Sequence, residues 1–139
     1  MNYVRIGLAA LGAFVAYMAA GGLMFAAMPF LKTEFLKYPA VYRDHDGQMS
    51  HFPVGMAAIL LSMVVLAVLY AKIYRAGSGL ADGAAFGALI GLFVISAFVL
   101  HNYTNLNIGM RLTAISALAY FVEWCIAGIA IGLIYKPAP

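Results

Sequence analysis

The sequence predicts an all-α fold: a polytopic membrane protein built as a four-transmembrane-helix bundle with short loops. Four apolar stretches, each about twenty residues or longer, fill nearly all of the 139 residues, and a hydrocarbon core of about 30 Å takes about 20 residues of apolar helix to cross. Charged residues make up only 9% of the chain against 65% hydrophobic, and the mean hydropathy is +0.96. A water-soluble domain carries about 25% charged residues, so this composition excludes an ordinary soluble core. No segment shows the long run of alternating strands that a barrel requires, and backbone amides in lipid have no water to bond, which leaves helices.

Taken in order, the spans are expected at about residues 3–31, 52–73, 80–100 and 112–135, and together they form a single transmembrane domain over 1–139. The first begins after Asn2, Tyr3 and Arg5, a beginning shared with signal peptides, but its apolar run continues to Phe30. That is longer than an h-region of about 7–15 residues, so it reads as a retained span. Pro29 and Pro53 are expected to mark the end of the first span and the start of the second, positions where proline does least harm. Between them, residues 32–51 are the one sizeable extramembrane segment. Its first half, LKTEFLKYPAVY, mixes apolar and charged residues in a way that suits a short amphipathic helix at the interface, ending before Pro39, with Tyr38 and Tyr42 at headgroup level. Asp82, near the start of the third span, is a favourable charge at a helix N-terminus.

The formal charge of +3 and pI near 9.1 do not point to nucleic acid, because the basic residues stand singly at helix ends and not together on one face. The lipid bilayer is the partner they imply. Lys and Arg divide evenly: Arg5, Lys72, Arg75 and Lys136 on one side, Lys32, Lys37, Arg43 and Arg111 on the other. Lys72 and Arg75 sit at the shortest loop, whereas Glu34, Asp44 and Asp46 accompany the other group, so both termini are expected on the cytoplasmic side. Cys125 has no second cysteine to pair with and is expected to fill space.

Small residues indicate how the spans meet. Gly83, Gly87 and Gly91 recur every four positions in the third span, and Gly128 and Gly132 do so in the fourth. Such stripes let helix backbones approach closely. Gly12, Ala16 and Ala20 repeat the pattern in the first span. Packing inside the bundle is the first use for these faces; a homo-oligomer or a larger membrane complex is the second.

Polar residues within the spans are the candidates for function. Glu123 lies about 16 Å into the fourth span at 1.5 Å per residue, where an ionised carboxylate is costly unless a cation or donor faces it. Such a residue faces the bundle interior or a wet cavity, as a proton, ion or ligand site or as a tether to a neighbouring helix. The stretch HNYTNLN ends the third span, and His101, Thr104 and Asn105 share one helical face by their spacing of three and four. That face, together with Arg111 at the return, is the second candidate for a polar pocket. A single imidazole could ligate haem iron, a chlorin magnesium or zinc, but His101 has no companion ligand in the sequence, so no cofactor is identified. In the first loop His45 and His51, with Asp44 and Asp46, offer ligand atoms at a spacing that fits neither an EF-hand nor a zinc pattern, and a solvated loop is expected. No nucleophile triad, phosphate-binding glycine loop or cysteine pair points to catalysis, so no enzyme is expected.

The stretches FGALIGLFVISAFVLHNYTNLNIGM and AYFVEWCIAGIAIG resemble uncharacterised families of small four-helix bacterial inner-membrane proteins. There a glycine-containing third helix runs into a Thr-Asn-Leu motif, and an acidic residue with a nearby Trp follows in the fourth helix. The matching positions are Thr104, Asn105 and Leu106, then Glu123 and Trp124; His101 and Asn102 stand where those families tend to show Tyr-Asp. The resemblance implies a four-helix membrane protein and assigns no activity. Two roles are carried forward: a non-enzymatic structural or accessory subunit that packs through its Gly/Ala stripes, and a binder or carrier of a small molecule, proton or pigment that uses Glu123 and the His101–Asn105 face.

Overall fold

The computed structural model describes residues 1–74 and 79–136. Arg75, one of the cations that bear on orientation, and most of its short connection lie outside the described residues. The described chain is all-α, with five helices: α1 (Tyr3–Ala27), α2 (Pro29–Phe35), α3 (His45–Ile73), α4 (Leu80–Asn105) and α5 (Met110–Ile134). All but α2 are long and apolar enough to cross a membrane, the make-up of a multi-pass membrane protein.

Three boundaries differ from those expected. The first span does not continue to residue 31. It stops at Ala27, because Pro29 restricts the backbone of Met28 (φ −125°, ψ 75°) and then opens α2 at the first helical position, where its missing N–H costs nothing. The second span does not start near Pro53. Asp44 caps α3 by accepting a hydrogen bond from the Gly47 amide at 2.8 Å, so the helix begins two turns earlier and Pro53 lies within it. The third helix runs through the HNYTN stretch to Asn105 instead of ending at residue 100, and it does so by way of a π-helical stretch, Ile95–Leu100.

The helices pack in the order α3, α1, α5, α4. The tightest seam joins α4 and α5. A Cβ on Gly83 would fall 2.6 Å from the Gly128 carbonyl oxygen, one on Gly87 2.5 Å from that of Trp124, and one on Gly132 2.5 Å from that of Gly79. The two glycine stripes therefore lie against each other, backbone on backbone, where dispersion contacts and not the hydrophobic effect hold helices together in lipid. α1 completes the core with Ala9, Ala10 and Ala13, all fully buried, and with Gly12 beneath Ile134.

At the end of the bundle that holds the N-terminus, an aromatic cluster closes the interior. Tyr70 of α3 meets Phe86 of α4 (ring centroids 5.3 Å) and Tyr135 (6.3 Å), and Tyr74 stands edge-on to Tyr135 at 5.4 Å. Beyond the Tyr70–Phe86 contact, α3 and α4 face each other across a groove. At the opposite end α2 folds back over the bundle, and the Tyr38 hydroxyl accepts a hydrogen bond from the Gly109 amide at 2.9 Å, tying the first connection to the turn between α4 and α5.

Candidate functional site

Glu123 stands near the midpoint of α5, about 20 Å along the helix from its start, and only 8% of its surface is exposed. It forms part of the wall of a chamber of about 390 Å³ between α1, α3 and α5. Tyr17 and Gly21 contribute from α1, Met56 and Ile59 from α3, and Ser116 and Tyr120 from α5. Leu31 and Phe35 of α2 roof it. The bare backbone of Gly21 makes room for the carboxyl, since a Cβ there would come within 2.7 Å of Glu123 Oε1. Tyr17 and Tyr120 share the wall of the chamber with the carboxyl. A carboxyl, two phenols and the Ser116 hydroxyl thus share a largely apolar chamber, a combination that can both donate and accept hydrogen bonds.

On the far side of Tyr17 lies the groove between α3 and α4, a cavity of about 690 Å³. It shares Tyr17, Ile59 and Tyr120 with the chamber. Trp124 packs on Tyr17 with ring centroids 5.1 Å apart. Its indole Nε1 is buried and has no hydrogen-bond partner among the described residues.

The roof is pinned by a charge cluster that the sequence did not reveal. Glu34 of α2 is buried, and its Oε1 accepts from Lys37 Nζ at 2.6 Å and faces Arg111 Nε at 3.2 Å. Glu34 and Lys37 are three positions apart on one helix, whereas the Arg111 contact spans 77 positions and has no local signal in the sequence. Both cations are more than half exposed, so water screens the pair and lowers the cost of breaking it below the 3–5 kcal/mol of a fully buried ion pair. Arg111→Ala is expected to destabilise the protein by about 1 kcal/mol and to loosen α2 selectively, read as faster amide exchange in residues 30–35 with little change in α4. Nearby, Tyr42 stands edge-on to Phe35 at 4.9 Å. Burial and, secondarily, the adjoining Tyr38 push its phenol above the ordinary value.

The remaining sequence candidates lie elsewhere. His101, Thr104 and Asn105 are exposed at the end of α4, where the Thr104 hydroxyl donates to the His101 carbonyl at 2.7 Å and Asn105 Nδ2 donates to the same oxygen at 3.3 Å. That face does not line the Glu123 chamber; of the HNYTN stretch only Asn102 reaches the groove. Arg111 is committed to Glu34 and is likewise outside the chamber. His45 and His51 are exposed on the first turns of α3, with His51 Nδ1 held 2.9 Å from the Gly47 carbonyl oxygen. Among the described residues no three His, Cys, Asp or Glu side chains converge. Cys125 is half-buried, and its Cα lies where a Cβ on Gly87 would come within 2.8 Å.

Fold and site together describe a multi-pass membrane protein with a buried acid in the wall of an intramembrane chamber. Comparison with known protein families, with curated proteins and with solved structures finds no match to this chain. The likeness drawn on Thr104–Leu106 and Glu123–Trp124 stands on those residues alone.

Proposed function

We propose that this protein is a non-enzymatic binder of an amphiphile, and that the chamber between α1, α3 and α5 takes the polar head of the ligand against Glu123. The observation that carries this reading is a carboxyl, 8% exposed and near mid-membrane, set beside cavity space and two phenols instead of a cation. Ionisable groups at such depth are costly and mark ligand, ion or proton sites. A head that carries hydroxyls fits the donors and acceptors present, and the apolar walls fit a hydrocarbon body. The accessory-subunit role draws no support from the glycine stripes of α4 and α5, because those stripes are filled by each other. The bacterial inner membrane, with both termini cytoplasmic, is the setting we propose for it.

Trp124, the single tryptophan, provides the readout. A monoacylglycerol brominated on its acyl chain, titrated into the detergent-solubilised protein, is expected to quench Trp124 fluorescence saturably. Glu123→Gln should weaken that binding about fivefold and Glu123→Leu at least about tenfold, the loss of one to two charge-assisted hydrogen bonds, with thermal stability unchanged or higher. If instead Glu123→Leu lowers the melting temperature and leaves the quenching curve in place, Glu123 is a tether between helices and the proposal fails.

A further inference from the structure

At the end of the bundle that α2 covers, the cations divide into two pairs. Lys37 and Arg111 are committed to Glu34. Lys32 and Arg43 form no ion pair among the described residues; both are exposed, and both line one cavity of about 630 Å³ between the end of α1, α2 and the first turns of α3. Phe25, Phe35, Leu36 and Val41 make the apolar part of its wall, and Tyr42 adds a phenol. Asp44 brings a carboxylate to the lining, but its Oδ1 is taken by the Gly47 amide at 2.8 Å. Gln48 is spent as well, since its Nε2 donates to the Arg43 carbonyl at 2.8 Å. With His45 neutral, two cations against one carboxylate leave the lining with one net positive charge. Phe25 and Phe35, stacked with ring centroids 6.0 Å apart, belong both to this cavity and to the Glu123 chamber, so the two spaces adjoin across those rings.

We infer that this cavity is a second site, separate from the chamber, which takes the phosphodiester of an anionic phospholipid between Lys32 and Arg43 and lays the adjoining acyl carbons on the apolar wall. A phosphodiester carries one negative charge, the complement of the lining, and charge-assisted hydrogen bonds from guanidinium and ammonium to phosphate are the strong ones. Basic pockets beside membrane helices take phosphorylated head groups in this way. The amides at the start of α3 are not the source of the attraction, because Asp44 caps them. A phosphate free in water would leave the four apolar side chains uncovered, whereas a lipid covers them. A zwitterionic head would bring its ammonium up beside Lys32 and Arg43. The site makes no use of Glu123 and stands whether or not the chamber binds an amphiphile.

The test compares dioleoyl phosphatidylglycerol with dioleoyl phosphatidylcholine, which have the same chains and differ in the head group. Retention of each on the full-length protein is measured by native mass spectrometry from micelles of an uncharged detergent. Wild type is expected to retain the anionic lipid about tenfold better, the order expected from two cations near a phosphate. The double variant Lys32→Gln, Arg43→Gln should erase that preference by lowering retention of the anionic lipid to the level of the zwitterionic one; both side chains are exposed, so the bundle is expected to fold as before. Lys72→Gln, at the other end of α3, and Glu123→Leu, in the chamber, should each keep the preference, and an excess of inorganic phosphate should leave the anionic lipid bound. Equal retention of the two lipids by wild type, retention of neither, or a preference that survives the double variant overturns the inference. Loss of the preference in Lys72→Gln would reduce it to net charge, loss in Glu123→Leu would merge the site with the chamber, and displacement by inorganic phosphate would make it a site for a free anion; each of these also overturns it.

Discussion

Gly128→Leu is expected to abolish the folded bundle, and it is the most damaging single substitution we foresee. A Cβ at position 128 would fall 2.5 Å from the Gly83 carbonyl oxygen and 2.5 Å from the Gly87 Cα, both backbone atoms that cannot rotate aside. Overpacking a well-filled core costs about 1–3 kcal/mol when side chains can adjust; here two helix axes must separate along the tightest seam of the protein, so at least about 3 kcal/mol is expected. The variant should yield little monodisperse protein on size-exclusion chromatography in mild detergent. Gly55→Leu is the control: nothing lies within 4 Å of a Cβ there, the site is exposed on α3, and leucine favours helix over glycine. It should purify like wild type. Equal behaviour of the two variants would mean that α4 and α5 do not meet glycine to glycine.

Gly21→Leu is expected to leave the protein folded and empty it of ligand. The atom nearest a Cβ at position 21 is Glu123 Oε1, the mobile end of a flexible side chain, and the rest of a leucine side chain would extend into the chamber of about 390 Å³. Binding of the brominated monoacylglycerol, read by Trp124 quenching, should weaken at least about tenfold, or about 1.4 kcal/mol, while the melting temperature stays within a few degrees of wild type. Full quenching at wild-type affinity would place the ligand away from Glu123.

How much of this was legible in the sequence divides along physical lines. Span number and helix type follow from hydropathy alone, because lipid leaves a backbone no alternative to internal hydrogen bonding. The glycine stripes were equally legible, since a period of four maps directly onto one helix face. Boundaries were less so. Pro53 suggests a helix start in sequence, but the Asp44 side chain supplies a cap two turns earlier and the helix runs on through the proline. The π-helical stretch of α4 left no mark in the sequence, and it carried the polar HNYTN residues on as helix.

Within the site, the depth of Glu123 could be read from its distance along the span, and its burial is what a costly carboxyl requires. Its companions could not. Tyr17 and Gly21 belong to the other end of the chain, and both look like ordinary packing residues in sequence. Trp124 reads as packing, and it does pack on Tyr17; only its unsatisfied Nε1 sets it apart, and hydrogen-bond satisfaction is invisible before the helices are assembled. In sequence Glu34 is one acidic residue among interfacial cations, whereas the fold buries it and gives it Arg111. The HNYTN face and Glu123 suggest one pocket in sequence because both are polar and flank the third turn of the chain, but His101, Thr104 and Asn105 are exposed at the end of α4, away from the chamber that Glu123 lines.

The placement of Glu123 in apolar cavity space inside the bundle is tested most directly by carbodiimide labelling mapped by peptide mass spectrometry in native membranes. A lipid-soluble carbodiimide is expected to modify Glu123, a water-soluble carbodiimide to leave it untouched, and Gly21→Leu to suppress the modification by filling the space beside the carboxyl. Labelling of Glu123 by the water-soluble reagent, or no labelling of it by either, would contradict a carboxyl held in an intramembrane chamber.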